Sequence, residues 1–208
     1  MTIRSLALIA ALIATSAAPA TASPADQVTQ AATASFARMP AVQVVASISG
    51  TCGADQHVNS RAVYCTSRDA ILITQAEANS ARAPYLLAHL FAHGAQVQHG
   101  VADVALRTIT ARRDEEPALR AMVAGQVDCV AGVLYERAGL PLDDLTQLFN
   151  SDPFPDPHWG RSPLSSAPVM GIGLSARNQW FARGYSGGLS SCGSGEFGPD
   201  LLIKADRF

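Results

Sequence analysis

The sequence predicts an α+β domain, predominantly helical, with a small β-sheet and disulfide staples. Three observations lead there. Apolar residues recur at helical spacing over two long stretches, about 84–98 and 118–137, each with a proline at its start and a glycine past its end. β-branched runs are confined to residues 42–74. Four cysteines, Cys52, Cys65, Cys129 and Cys192, sit in a chain that begins like an export signal, where an even count favours disulfides.

The elements follow in order. Residues 1–22 read as a signal peptide: Arg4 is the positive n-region, Leu6 to Ile13 the apolar core, and Ala20-Thr21-Ala22 a small-x-small cleavage site before Ser23. The apolar run stops at Ser16 and Pro19, short of the roughly 20 residues a membrane span needs. Residues 23–208 then form a single domain. Residues 23 to about 40 show little pattern and are expected to be a mobile or loosely helical lead-in. Val42 to Ile48 reads as a strand, and Ala62–Cys65 with Ala70–Thr74 as a hairpin-like pair around Ser67-Arg68-Asp69. A helix is expected from Pro84 to Gln98, stopped by Gly100, with Leu86, Leu87, Leu90, Phe91 and Val97 as its apolar side. Val101 to Thr110 reads as more helix.

Asp114-Glu115-Glu116-Pro117 places acids at the positive end of a dipole and opens a helix over Ala118–Arg137. Its expected buried stripe is Leu119, Met122, Val123, Val127, Val130 and Leu134; Gly139 and Pro141 end it. Leu142 to Phe149 reads as a short amphipathic helix. Ser151 to Pro168 carries five prolines and reads as a long loop, with Phe154, His158 and Trp159 as a recognition surface or a packing lid. Ser175 to Tyr185 is expected to be helical, with Trp180 and Phe181 available for packing.

Composition narrows the function classes. Hydrophobic residues at 48 % and charged ones at 15 % describe a globular chain rather than a disordered one. A net charge of -2 offers no basic patch for nucleic acid. Loss of Arg4 with the signal takes it to -3. After cleavage no integral membrane segment is expected, and the mature protein belongs in the periplasm or outside the cell. No C-x-x-C pair suggests a thiolate zinc site; the four cysteines allow three disulfide pairings.

The segment His89-Leu90-Phe91-Ala92-His93 carries the chemistry. Histidines four apart on a helix share one face and suit a divalent metal. The H-E-x-x-H signature of zinc peptidases adds a glutamate after the first histidine as general base. Here that position is Leu90. Taken alone, such a pair is far more readily two packed core histidines, against Tyr85, Phe91 and alanines, than a ligand pair.

Several separated segments resemble the neutral zinc metallopeptidase family, an exported or membrane-tethered bacterial group with a zincin-like fold. Thr51-Cys52-Gly53 with Val63-Tyr64-Cys65 is similar to its T-x-C-G…F-Y-C segment. Ala88-His89-Leu90-Phe91-Ala92-His93 with Gln96 is similar to A-H-E-x-G-H-H-V-Q. Gln126-Val127-Asp128-Cys129-Val130-Ala131-Gly132 is similar to E-L-Q-A-D-C-x-A-G, and Arg177 with Trp180-Phe181-Ala182-Arg183-Gly184 and Cys192 to R-x-x-W-F-x-x-G…C. Order and spacing agree over roughly residues 45–193. The resemblance implies a zincin-like α+β fold, His89 and His93 as metal ligands, Asp128 behind a histidine, and the pairs Cys52–Cys65 and Cys129–Cys192.

The departures fall on the chemistry. Leu90 replaces the base, Gly94 the second of two paired histidines, and Ala124 the glutamate expected as third ligand. Asp128, Glu77, Asp103 and His99 are other donors within the chain, although His99, six residues after His93, is turned away by about 120° on an ideal helix. Acid–base assistance is worth about 10²–10⁴-fold, and Leu90 cannot supply it. The expectation is therefore an exported metallopeptidase-like protein with a degraded site, zinc held weakly or not at all, and a binding or scaffolding role toward a protein or peptide. The alternatives are an active zinc metallopeptidase with relocated ligands and a periplasmic metal-binding protein.

Overall fold

Two helices that are apolar on nearly every side organise the chain, because such helices cannot face water anywhere. The computed structural model describes residues 22–51, 61–154 and 171–208. It is α+β, mostly helical, with one small sheet. In chain order the elements are α1 (Pro24–Ser35), β1 (Ala41–Val45), β2 (Ala62–Cys65), β3 (Ala70–Thr74), α2 (Gln75–Ala78), α3 (Ala83–Gln98), α4 (Val101–Ala111), α5 (Glu116–Arg137), α6 (Leu145–Leu148), α7 (Leu174–Gly187) and α8 (Asp200–Ala205).

Helix α3 is buried from Ala83 through Gln96, and α5 from Gly125 through Tyr135. The expected apolar side of α3 and stripe of α5 are thus too narrow: α1, α4 and α7 pack around this pair and enclose polar residues as well. By length and hydropathy α5 would pass for a membrane span, yet protein surrounds most of it. Gly100, at φ +80°, takes the left-handed turn between α3 and α4 that a side chain would strain.

The sheet has three strands in the order β1-β3-β2. The hairpin-like pair forms as expected, with β2 antiparallel to β3, Tyr64 opposite Ile71. Strand β1 joins the other side of β3 in parallel, Val42 beside Ile71. Ile71 and Ile73 face the helices; Ala70 and Leu72 face outward under Ile48. The strand expected to reach Ile48 therefore ends at Val45, and Ile48 folds back over the sheet.

Two other expectations change. The lead-in is a twelve-residue helix, α1, started by a capping box in which the Ser23 side chain accepts from the Asp26 N–H and Asp26 accepts from Ser23. Its Val28, Ala31 and Ala32 are buried against the core, a stripe of small side chains that reads weakly in sequence. The helix expected over Leu142–Phe149 contracts to α6, because Asp144 caps it at the Thr146 N–H. Helix α8 is an addition; Asp206 after it grips Arg137 with two bonds of 2.7 Å.

Helices α5 and α7 cross at backbone contact. A Cβ on Gly132 would lie 2.0 Å from the Phe181 carbonyl oxygen, and one on Gly184 would lie 1.8 Å from that of Cys129. The Cys129–Cys192 disulfide closes beside this crossing, its Cα atoms 5.4 Å apart. A buried disulfide fits an oxidising, extracellular environment. Cys52 lies outside the described residues, and with it the expected Cys52–Cys65 pair; residues 1–21, nearly all of the expected signal peptide of 1–22, and most of the Pro-rich loop lie outside them too.

Gly184→Ala is expected to destabilise the protein by about 3 kcal/mol or to prevent folding, since neither backbone can retreat without opening the core. Ser175→Ala, on the exposed side of α7, is expected to stay within about 0.5 kcal/mol. Urea denaturation of the oxidised protein measures both.

Candidate functional site

Four helical side chains and one loop converge at the centre of the core. Tyr85 and His89 lie one turn apart on α3, Asp128 lies on α5, and Arg177 lies on α7 one turn before Phe181. All four are buried, Asp128 completely. Asp128 Oδ1 lies 2.7 Å from His89 Nδ1 and accepts from the Tyr85 hydroxyl at 2.9 Å. Its Oδ2 accepts from Arg177 Nη1 at 2.8 Å. The rest of the guanidinium holds the start of the Pro-rich loop: Nε donates to Asp152 Oδ1 at 2.6 Å and Nη2 to the Phe154 carbonyl at 2.6 Å.

Charge states follow from these contacts. Burial alone would raise the Asp128 carboxyl, but the Arg177 guanidinium and then His89 outweigh it, and the group stays ionised below its usual range. Burial is the largest influence on His89 and holds it below its ordinary value against the pull of Asp128, so the imidazole is neutral. Burial and then Asp128 push the Tyr85 phenol up, which keeps it a donor. An ionised carboxylate only accepts, so we assign the His89 proton to Nδ1. Nε2 is then a bare acceptor, buried without a hydrogen-bond partner among the described residues.

The neighbourhood of Nε2 is aromatic. The His93 ring stands edge-on to His89 with centroids 4.9 Å apart, and the Phe154 ring stacks on it at 3.9 Å and 9°. Phe154 is thus a packing lid over His89; His158 and Trp159 lie outside the described residues. Leu90 is buried and lines a cavity of about 230 Å³ between β2, α3 and α4, whose wall also includes His93.

The other donors are placed elsewhere. Glu77 accepts two bonds from Arg82, at 2.8 and 3.2 Å, and one from Ser80. His99 packs on Phe36. Asp103 is exposed at the rim of the cavity, and Ala124 offers no donor. At Gly94 a Cβ would lie 2.7 Å from the Pro40 ring, so a paired histidine has no room. Among the described residues no group of three or more His, Cys, Asp or Glu could hold a metal ion. Asp128 is turned to Nδ1 and Arg177.

The resemblance implies Asp128 behind a histidine, and the two are paired. Sequence reasoning missed that Arg177 is the counter-charge of Asp128 and that Asp152 and Phe154 are tied to the same guanidinium. The available signal was Arg177 itself, a charge spaced with Phe181 and Gly184 on the buried face of α7. A second polar cluster shares the core: Gln96 donates to Gln126 at 2.9 Å, and Gln126 donates to the Cys192 carbonyl at 3.1 Å.

Compared with models of known protein families, with curated proteins and with solved structures, the chain matches none.

Arg177→Met leaves Asp128 charged and buried, and is expected to cost about 3–5 kcal/mol in urea unfolding. The folded His89 titrates below 6.5, its ordinary value, so the unfolded chain takes up the proton first as pH falls. Stability in the presence of chelator should be full above about 6.5 and decline below it. His89→Gln should flatten this acid limb, leaving the part due to His99, whose value burial also lowers.

Proposed function

We propose that the chain is an exported, zincin-like relative of the neutral zinc metallopeptidases whose hydrolytic site is degenerate, and that it works by binding rather than by hydrolysis. The observation that carries this reading is the pairing of His89 Nδ1 with Asp128 while Nε2 is left bare. A carboxylate on one ring nitrogen is the arrangement that fixes a metal-ligating histidine and raises its basicity. The segments that carry the resemblance also pack on one another: Arg177 on Asp128, Gln96 on Gln126, Cys129 on Cys192, and Gly132 against Phe181.

The residues fit a metal only in part. A catalytic zinc takes three protein ligands and a water. His89 and His93 supply two imidazoles, and the described residues add no third donor beside them. Such a pair suits Zn²⁺ or Cu²⁺ held loosely. A bound zinc would supply Lewis acidity to a water molecule. This chain's own residues then fall short: Leu90 can neither take nor return a proton, and the two carboxylates of the cluster, Asp128 and Asp152, are both held by Arg177. Periplasmic metal binding without turnover is the second reading, favoured by the bare Nε2.

Metal content of the mature protein, measured beside a His89→Ala/His93→Ala variant, decides among these. Zinc well below one equivalent and no chelator-sensitive hydrolysis are expected. One equivalent that requires both histidines, without turnover, would establish the metal-binding reading instead. Zinc-dependent peptide hydrolysis that is abolished in His89→Ala would sink the proposal.

A further inference from the structure

The residue that removes the chemistry also builds a pocket. Leu90 stands where the resemblance expects the catalytic glutamate, and its buried side chain helps wall the 230 Å³ cavity with Val97 of α3, Ala102 and Leu106 of α4, and Ala62 and Val63 of β2. A glutamate there would set a carboxylate in a wall that is mostly apolar, with His93 and Thr66 among its polar members, at a desolvation cost that leucine avoids. With leucine, the space is a mostly apolar chamber bordered by a few polar groups, the usual make-up of a small-molecule site.

Size and charge narrow the occupant. A dry apolar cavity of about 150 Å³ is enough to hold benzene, so this one accommodates a single ring with a short substituent. The Tyr64 phenol lines the chamber. Its hydroxyl donates to Asp69 at 3.1 Å, which leaves the ring rather than the O–H as its contribution. Asp103, on the rim, is exposed and has no ion-pair partner among the described residues. An apolar chamber with an unneutralised carboxylate at its mouth selects an apolar body with a cationic head.

We infer that the cavity between β2, α3 and α4 is a binding site for a small arylalkyl amine, with Leu90 as part of its apolar wall and Asp103 as the partner of its ammonium. This deepens the binding role proposed above and rests on it.

The test uses mature, disulfide-intact protein in chelator, with benzylamine, benzyl alcohol and a short apolar peptide as probes followed by NMR titration. Benzylamine is expected to saturate at a Kd on the order of 0.1–1 mM, and benzyl alcohol to bind about fivefold more weakly. Asp103→Asn should erase that difference while leaving the alcohol's affinity unchanged. Ala102→Phe should fill the chamber and abolish both. If that variant unfolds, contacts between the ligand ring and the Val63 and Leu106 methyl groups locate the site in the unmodified protein. No saturation by either small probe, an amine preference that survives Asp103→Asn, ligand contacts elsewhere, or saturation by the peptide alone would overturn the inference. Zinc-dependent hydrolysis in a protein that still binds benzylamine would overturn the proposed function and leave the pocket standing.

Discussion

The carboxylate of Asp128, fully buried and still charged, is the constraint on which the rest of the core depends. A lone ion there would cost several kcal/mol, so every neighbour must answer it. Arg177 supplies the counter-charge, Tyr85 and His89 supply donors, and together they engage both oxygens. Because these partners come from α3, α5 and α7, the charge holds three helices in one register. Apolar side chains alone would tolerate small slides between those helices; a hydrogen-bonded ion does not.

The same guanidinium extends the register to a loop. Arg177 reaches Asp152 and the Phe154 carbonyl, and this brings the Phe154 ring flat onto His89. The histidine is therefore fixed at Nδ1 by a carboxylate, on its face by an aromatic ring, and in its charge state by burial. Rigid placement with one bare nitrogen is a feature of a ligating residue. Among the described residues, Leu90 and Ala124 supply neither the base nor the third donor that the resemblance implies, and the Pro40 ring fills the space beside Gly94.

The glycines of α5 and α7 show why the scaffold persists. Gly132 and Gly184 let two helices meet at their backbones, and the Cys129–Cys192 bond lies where they cross. Loss of either glycine, of Arg177 or of the disulfide would disturb the core directly.

Much of the fold was legible in the sequence because local signals and burial agree. Proline before and glycine after mark α3, the acidic run ahead of Pro117 marks α5, and β2 and β3 fall where β-branched residues cluster. The reading was weakest where tertiary context overrides pattern. Helix α1 carries only a short stripe of small residues, and its order comes from a cap and from the core it touches. Helix α6 is cut back by one aspartate side chain. The candidate site divides in the same way. The spacing of His89 and His93 and the substitution of Leu90 are properties of the chain order, since an i, i+4 pair shares a helix face wherever the helix lies. That Asp128 serves Nδ1 and not a metal, that Phe154 covers the ring, and that Leu90 walls a cavity near Asp103 depend on which helices meet. Only the packing of distant segments, and the charge it must neutralise, decides that.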